Sequence, residues 1–229
     1  MQNNLKPAGV IFDFDGVVVD SLTAHLVAWR ESYFSLYGTK LLDIDGLAGR
    51  STQAIADILS QRAGRPETKE ILAELKREAL RRSSLTIDFF PGAKESFAWL
   101  AAENIPFGIG SNAPRAFISS TLDRLGVRVA HQFGCDDVAH PKPDPEVFLK
   151  CAKALGISVL DHPRVIVFED STHGLRAAVK AGMFAIGVLT QNTAEQMLAC
   201  GALAVCADVG EALKNGWLLK LPATSRLPS

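Results

Sequence analysis

Acidic, amide and hydroxyl side chains lie directly after several of the predicted strands of this chain. Asp13 and Asp15 follow the short apolar run Val10-Ile11-Phe12. Residues two apart in an extended chain project to the same face. Two carboxylates at this spacing could therefore act on one ligand. An Asp-Gly turn carrying two solvated acids is the alternative interpretation.

Three further polar groups repeat this pattern. Ser111 and Asn112 follow a glycine-rich strand, Lys142 lies in a proline-rich segment before a helix, and Glu169 and Asp170 end an apolar strand. Each group also has a plain structural interpretation: a turn cap, a solvated loop lysine and an acid pair at a helix start. Their recurrence after successive strands favours a shared site.

The carboxyl ends of parallel strands meet at one edge of an open sheet, where ligands bind. Four carboxylates in one crevice repel one another by about 3 kcal/mol per pair at 5 Å and an effective dielectric of 20. A cation is therefore predicted beside them. Because the available ligands are oxygens, Mg²⁺ is the expected ion, and it also binds substrate phosphate.

The elements that must position these residues alternate between helix and strand from residue 91 onward. The pattern predicts helices over 93–103, 115–125, 144–156, 171–181 and 194–200, and strands over 106–110, 164–168, 184–188 and 204–206. This alternation predicts an α/β fold with a doubly wound, Rossmann-like parallel sheet.

Residues 19–90 interrupt that alternation. Leu22, Leu26, Trp29 and Tyr33 are spaced as on one face of a helix. We therefore predict a helical cap domain over 19–90, inserted after the first strand of a catalytic core formed by 1–18 and 91–229.

Composition limits the function classes. The 229 residues include 24 basic and 25 acidic side chains without a long basic run, which argues against a nucleic-acid partner. No uncharged run approaches the roughly 20 residues that span a bilayer. The four cysteines lack CxxC or framework spacing, so reduced thiols are expected. We expect a soluble, cytoplasmic monomer or weak homodimer that acts on a small molecule.

Four motifs, DFDGVVVDS, GSN, KPDPEVF and VFEDSTHG, occur in this order along the chain. Together they resemble the haloacid dehalogenase superfamily, in the capped subgroup that includes β-phosphoglucomutase and small sugar-phosphate and phosphoglycolate phosphatases. The resemblance implies that Asp13 accepts the phosphoryl group as an aspartyl phosphate. It implies that Asp15 protonates the leaving oxygen and then deprotonates the attacking water.

The same resemblance implies the remaining site residues. Ser111, Asn112 and Lys142 would hold the phosphoryl oxygens. Mg²⁺ would be bound by Asp13, the backbone carbonyl of Asp15, Asp170 and, directly or through water, Glu169. Two positions depart from the family: Pro141 replaces the usual glycine before the lysine, and Leu22 replaces a common glutamate.

In the predicted cap, His25 and Arg50 are the candidates for substrate specificity. His25 could instead be an ordinary helix histidine. Arg50 is flanked by glycine in a loop that resembles the subgroup's substrate-selecting loop. A basic cluster of the cap is expected to form a solvated helix face; it comprises Lys76, Arg77, Arg81 and Arg82.

Three functions remain open at this point. The first is a Mg²⁺-dependent phosphatase of small phosphorylated metabolites, with sugar phosphates favoured. The second is β-phosphoglucomutase. Thr52 disfavours this function, because it offers no cation at the position where the mutases carry an arginine. The third is a phospho-acceptor signalling domain, disfavoured because such a module has no use for a cap. Haloalkanoate dehalogenation is also disfavoured, since it needs neither Mg²⁺ nor the acid at Asp15.

Overall fold

A parallel sheet forms the centre of the protein. The computed structural model describes residues 6–41, 44, 47, 49–82 and 87–221. Within these ranges the sheet has six strands in the order β3-β2-β1-β4-β5-β6. The strands are β1 Gly9–Phe12, β2 Phe107–Gly110, β3 Gln132–Phe133, β4 Val165–Glu169, β5 Phe184–Val188 and β6 Ala204–Cys206.

Nine α-helices lie within the same described ranges. They are α1 Leu22–Tyr37, α2 Thr52–Arg62, α3 Lys69–Arg82, α4 Ala93–Ala102, α5 Arg115–Arg124, α6 Glu146–Ala154, α7 Thr172–Lys180, α8 Ala194–Ala199 and α9 Val209–Lys214.

Both faces of the sheet are covered, because alternate strand residues pack in opposite directions. Val10 and Phe12 of β1 belong to one buried cluster with residues of α4, α5 and α9. Ile11 belongs to a second cluster with residues of α6, α7 and α8. This two-sided burial requires the continuous apolar strands seen in the sequence and confirms the predicted doubly wound α/β fold.

The central position of β1 creates the site. It pairs with β2 on one side and β4 on the other, all in parallel. The chain order reverses at β1, and such a switch point opens a crevice at the carboxyl ends of the strands. Asp13, Ser111 and Asp170, which follow these three strands, therefore meet.

Helices α1, α2 and α3, which lie between β1 and β2 in the chain order, pack together around a separate buried cluster. Trp29, Ile55, Leu59 and Leu72 are at its centre, each at most 8% exposed. The chain enters and leaves this unit side by side, since the Phe90 N–H donates to the Val18 carbonyl at 3.0 Å. We propose this unit as the cap domain, with the limits predicted at 19 and 90.

The predicted elements agree with the observed ones, with boundary shifts of one or two residues. Helix α6 begins at Glu146, two residues after the predicted start at 144, and Pro145 occupies its N-cap position, while Asp144 Oδ1 accepts from the Glu146 N–H at 3.0 Å. Strand β3 and helix α9 were not predicted. Two strand residues and a six-residue helix are too short to show a period.

The four cysteines, Cys135, Cys151, Cys200 and Cys206, are free thiols, which agrees with their expected reduced state. No helix among the described residues has the length and apolar character needed to cross a membrane.

Candidate active site

Asp13 lies at the first position beyond β1. Its backbone N–H donates to the Phe168 carbonyl of β4 at 2.9 Å, which fixes the direction in which the chain leaves the sheet. The residue is 7% exposed. The nucleophile candidate is thus a nearly buried carboxylate held by its neighbouring strand.

The Lys142 side chain contacts carboxylates at the ends of both β1 and β4. Its Nζ lies 2.7 Å from Asp13 Oδ1 and 2.7 Å from Glu169 Oε2. Burial lowers the pKa of the ammonium, but the two carboxylates outweigh burial and raise it. Lys142 therefore stays charged and is a buried cation, unlike the solvated loop lysine that the sequence left open.

Glu169 and Asp170 are both buried at the end of β4. Glu169 Oε2 accepts from Lys142, and its Oε1 accepts from the Ser171 N–H at 3.0 Å and the Ser171 hydroxyl at 2.7 Å. Asp170 Oδ2 accepts from Gln191 Nε2 at 2.5 Å. Asp170 keeps more free acceptor capacity than Glu169, whose two oxygens are both engaged.

The three carboxylates fit a bound cation. Asp13, Glu169 and Asp170 each offer an oxygen, and these oxygens lie within 4.8 Å of one another. Burial first, and the Glu169 charge second, raise the pKa of Asp13 to about 7 and raise the pKa of Asp170 well above its usual range. Lys142 alone therefore leaves negative charge uncompensated, and an all-oxygen donor set suits Mg²⁺.

Asp15 faces the cap instead of this carboxylate cluster. Its Oδ1 accepts a short hydrogen bond from the Ser21 hydroxyl and lies 3.5 Å from His25 Nε2. Burial would raise the pKa of Asp15, but His25 and Ser21 outweigh it and lower the pKa. Any Mg²⁺ contact of Asp15 is thus left to its backbone carbonyl, as the resemblance implies.

Lys76 continues this chain of contacts, and the prediction of a solvated face is wrong for this residue. It is 3% exposed, and its Nζ lies 3.0 Å from His25 Nδ1 and 3.4 Å from Thr52 Oγ1. An ammonium can only donate, so Nδ1 accepts and the imidazole proton lies on Nε2, which faces Asp15. Lys76, His25 and Asp15 thus form one polar chain from cap to core.

Replacing Lys76 with methionine is expected to stabilise the protein. Burial, then the Arg77 charge, lowers the pKa of Lys76 to about 8. The unfolded chain binds this proton more tightly, so the charge opposes folding at pH 7, and that cost declines as the pH rises from about 8 towards 10.5. We expect Lys76→Met to raise the free energy of unfolding at pH 7 by about 3 kcal/mol, measured by urea denaturation.

Lys69→Met is the control for that change. Lys69 lies on the same helix, is 40% exposed and pairs with Asp57 at 3.5 Å. A change within about 0.5 kcal/mol is expected there. Lys76 Nζ also lies 5.5 Å from the centroid of the Trp29 ring. Destabilisation by Lys76→Met would show that the contacts of Lys76 with His25 and Trp29 outweigh its burial cost.

Ser111 and Asn112 lie beyond β2, as predicted, and both are buried. The Asn112 amide is occupied: Oδ1 accepts from the Lys142 N–H at 2.9 Å, and Nδ2 donates to the Gly49 carbonyl at 3.0 Å. The side chain therefore positions Lys142 and the cap loop, and a role in phosphate binding stays a prediction. Gly49 is required, because at φ +75° a Cβ there would lie 2.3 Å from Ser171 Cβ.

Arg50 follows Gly49 and lines the same cavity as Asp13, Lys142 and His25. This cavity of about 1060 Å³ lies between the helical unit and the sheet. The Nε atom of Arg50 is buried without a hydrogen-bond partner among the described residues. Residues 46 and 48 of the predicted substrate-selecting loop lie outside the described residues.

Comparisons with known proteins agree with this geometry. The family model for haloacid dehalogenase-like hydrolases matches residues 10–188. The fructose-1-phosphate phosphatase of Escherichia coli (strain K12) is 33% identical over 189 residues, covering 79% of this chain and 96% of the relative. The β-phosphoglucomutase of Bacillus subtilis (strain 168) is 33% identical over 199 residues, covering 78% and 82%.

The fold has solved counterparts. The crystal structure of a hydrolase from Pseudomonas syringae aligns with a TM-score of 0.79 and 27% identity, covering 90% of this chain and 96% of that one. The named phosphatases among the relatives identify the present chain as an enzyme of the phosphoric monoester hydrolase type. With a family match that spans most of its length and the fold and site motifs of that family, the chain belongs to the haloacid dehalogenase-like hydrolases.

Proposed function

We propose that this protein is a Mg²⁺-dependent phosphatase that works through an aspartyl phosphate on Asp13. The observation that carries the proposal is the position of the Asp13 carboxylate, with Lys142 on one side and the Glu169–Asp170 pair within 4.8 Å. Phosphoryl transfer requires mainly positioning and neutralised charge on the equatorial oxygens. Asp13 cannot approach a phosphate dianion without such neutralisation.

Each residue of the site has a distinct task in this scheme. Asp13 and Asp170 are the better direct Mg²⁺ ligands, because both oxygens of Glu169 already accept hydrogen bonds. When bound, the ion would offset the charge of the phosphoryl oxygens. Lys142 neutralises the same oxygens, and Asn112 holds the Lys142 backbone in place.

Proton transfer is assigned to Asp15. Its carboxylate contacts Ser21 and His25 at the boundary of cap and core and lines the cavity apart from the candidate metal ligands, on the side where the leaving group would lie. Because its lowered pKa leaves Asp15 ionised in the free enzyme, it would first take a proton from the monoanion of the substrate phosphate, pass it to the departing alkoxide, and then take a proton from the attacking water.

Asp15→Asn is therefore expected to slow both chemical steps by about 10²–10⁴-fold with an alkyl phosphate. With p-nitrophenyl phosphate the leaving group needs no acid, so only hydrolysis of the phosphoenzyme should be slow. Stopped-flow absorbance should then show a burst of about one p-nitrophenolate per enzyme. Normal steady-state turnover by the variant would remove Asp15 from this role.

The substrate class is a small phosphorylated metabolite, with sugar phosphates favoured. Support comes from the roomy cavity, which is lined by Arg50, a cation whose buried Nε has no hydrogen-bond partner among the described residues. It also comes from a relative that is named as a fructose-1-phosphate phosphatase. A cytoplasmic location, the lack of nucleic-acid and membrane partners, and a monomeric or weakly dimeric state stay predictions.

Arg50→Ala is expected to change the ranking of substrates more than the rate on p-nitrophenyl phosphate. If Arg50 contacts the remote part of the substrate, its loss removes binding energy that a generic ester never uses. The measurement is kcat/KM across a panel of sugar phosphates. Arg30→Ala, which replaces an exposed arginine of α1, is the control. An unaltered substrate ranking in Arg50→Ala would assign Arg50 a structural role.

β-Phosphoglucomutase remains a second candidate because of Lys76. The mutase was disfavoured on the ground that Thr52 offers no cation, yet Lys76 Nζ lies 3.4 Å from Thr52 Oγ1. The cap thus has a buried cation at that place, and a relative carries the mutase name.

One assay separates the two candidates. The enzyme is incubated with β-glucose 1-phosphate and a trace of glucose 1,6-bisphosphate, and a panel of other sugar phosphates is screened for phosphate release. Phosphate release without isomer, abolished by EDTA, supports the phosphatase. Rapid glucose 6-phosphate formation with little free phosphate would overturn it.

A further inference from the structure

Three consecutive side chains after β5 are directed at the candidate metal site. Thr190 Oγ1 donates to the Gly16 carbonyl at 2.7 Å. Gln191 Nε2 donates to Asp170 Oδ2 at 2.5 Å, and Asn192 Nδ2 donates to the Asp170 carbonyl at 2.7 Å. The segment therefore contacts both the loop that carries Asp13 and the carboxylate of Asp170.

The packing around these contacts is tight. Strand β5 pairs with β4, so the segment after β5 lies beside Asp170. Gly16 has φ +83°, and a Cβ there would lie 1.8 Å from Asp170 Oδ2 and 3.0 Å from Gln191 Nε2. Asp170 Oδ2 is thus enclosed by Gly16, Gln191 and, at 3.4 Å, Thr190 Oγ1, whereas no described residue donates a hydrogen bond to its other carboxylate oxygen.

We propose that Gln191 is a positioning residue that restricts Asp170 to a single metal-binding oxygen and thereby favours Mg²⁺ over Ca²⁺. The inference rests on the proposed function, which makes Asp170 a Mg²⁺ ligand. Mg²⁺ takes six ligands in near-ideal geometry, whereas Ca²⁺ takes six to eight and often binds both oxygens of a carboxylate. A cation that needs both Asp170 oxygens must displace the Gln191 amide.

Thr190 and Asn192 also favour the smaller ion, through hydrogen bonds to backbone carbonyls. They fix the carbonyls of Gly16 and Asp170, which stops the two loops from separating to admit a larger ion. Gln191 makes the shortest contact with the ligand side chain, at 2.5 Å from Asp170 Oδ2 against 3.4 Å for Thr190 Oγ1, so it is the residue to test.

The test is Gln191→Leu, which keeps the approximate size of the side chain and removes the donor. Isothermal titration of the full-length protein with Mg²⁺ alone and with Ca²⁺ alone gives the two dissociation constants. We expect Mg²⁺ binding to weaken about tenfold, the usual scale for losing a residue that orients a metal ligand. Ca²⁺ binding should weaken less or strengthen, because the second Asp170 oxygen becomes available.

Gln61→Leu is the matched control. It deletes the same kind of contact, Gln61 Nε2 to Asp57 Oδ2 at 2.9 Å, on an exposed face of the cap. This control should leave both dissociation constants unchanged. Circular dichroism establishes folding, and Gln191→Ala replaces the leucine variant if the latter does not fold.

A failure of the Gln191 role and a failure of the proposed function give different results. An unchanged ratio of Ca²⁺ to Mg²⁺ dissociation constants in the Gln191 variant, with normal Mg²⁺ binding by the unaltered protein, would overturn the role of Gln191 alone. Metal-independent phosphate release by the unaltered protein would overturn the metal assignment on which this role depends.

Discussion

Asp13→Asn is expected to lower kcat at least about 10⁴-fold, as the removal of a covalent nucleophile does in other enzymes. An amide is a poor nucleophile towards phosphorus and a weaker metal ligand than a carboxylate. The fold should be retained, because Lys142 keeps its 2.7 Å contact with Glu169 and the repulsion between Asp13 and its acidic neighbours disappears. Phosphate release from p-nitrophenyl phosphate and from the preferred substrate measures the loss.

Asp123→Asn provides the control for this change. Asp123 is an exposed residue of α5, so the same chemical replacement there should leave kcat unaltered. Turnover by Asp13→Asn within about tenfold of the unaltered enzyme would mean that the phosphoryl group is accepted elsewhere.

Lys142→Met is expected to reduce kcat/KM at least about a hundredfold and to destabilise the fold by about 3–5 kcal/mol. The catalytic loss reflects removal of one preorganised charge from the transition state. The stability loss arises because Asp13 and Glu169 remain buried without their shared cation. Steady-state kinetics and urea denaturation measure the two effects, and saturating Mg²⁺ should restore part of the stability.

Lys150→Met tests whether these losses are specific to Lys142. Lys150 is 43% exposed and pairs with Glu146 at 2.8 Å on the surface. Its loss should cost no more than about 1 kcal/mol and leave the kinetics unchanged. Comparable effects of the two variants would contradict the central role of Lys142.

The sheet and the position of the site could be predicted because they follow from local patterns. Buried strands are recognisable in the sequence as continuous apolar runs. Because β1, β2 and β4 are parallel neighbours, the polar residues directly after them lie at the same edge of the sheet. Asp13, Ser111 and Asp170 were therefore placed together by topology alone. Lys142 could be grouped with them, but its burial could not be predicted, since nothing in its own segment says that a loop lysine is buried.

The contacts that the sequence did not reveal depend on packing between distant segments. Lys76 lies in a basic, amphipathic stretch that is typical of a solvated face, and only the approach of α3 to α1 buries it beside His25. Gln191 lies in a polar turn without a motif. Its contact with Asp170 depends on the pairing of β5 with β4. No periodicity or spacing carries such information.

The most direct test of the account is to trap the phosphoenzyme. The Asp15→Asn variant is mixed with Mg²⁺ and p-nitrophenyl phosphate, quenched in acid within the burst phase and digested for peptide mass spectrometry. We expect one phosphoryl group on the peptide containing Asp13, located at Asp13 by fragmentation and absent when EDTA replaces Mg²⁺. Phosphorylation of another residue, or a full burst without any phosphorylated peptide, would contradict it.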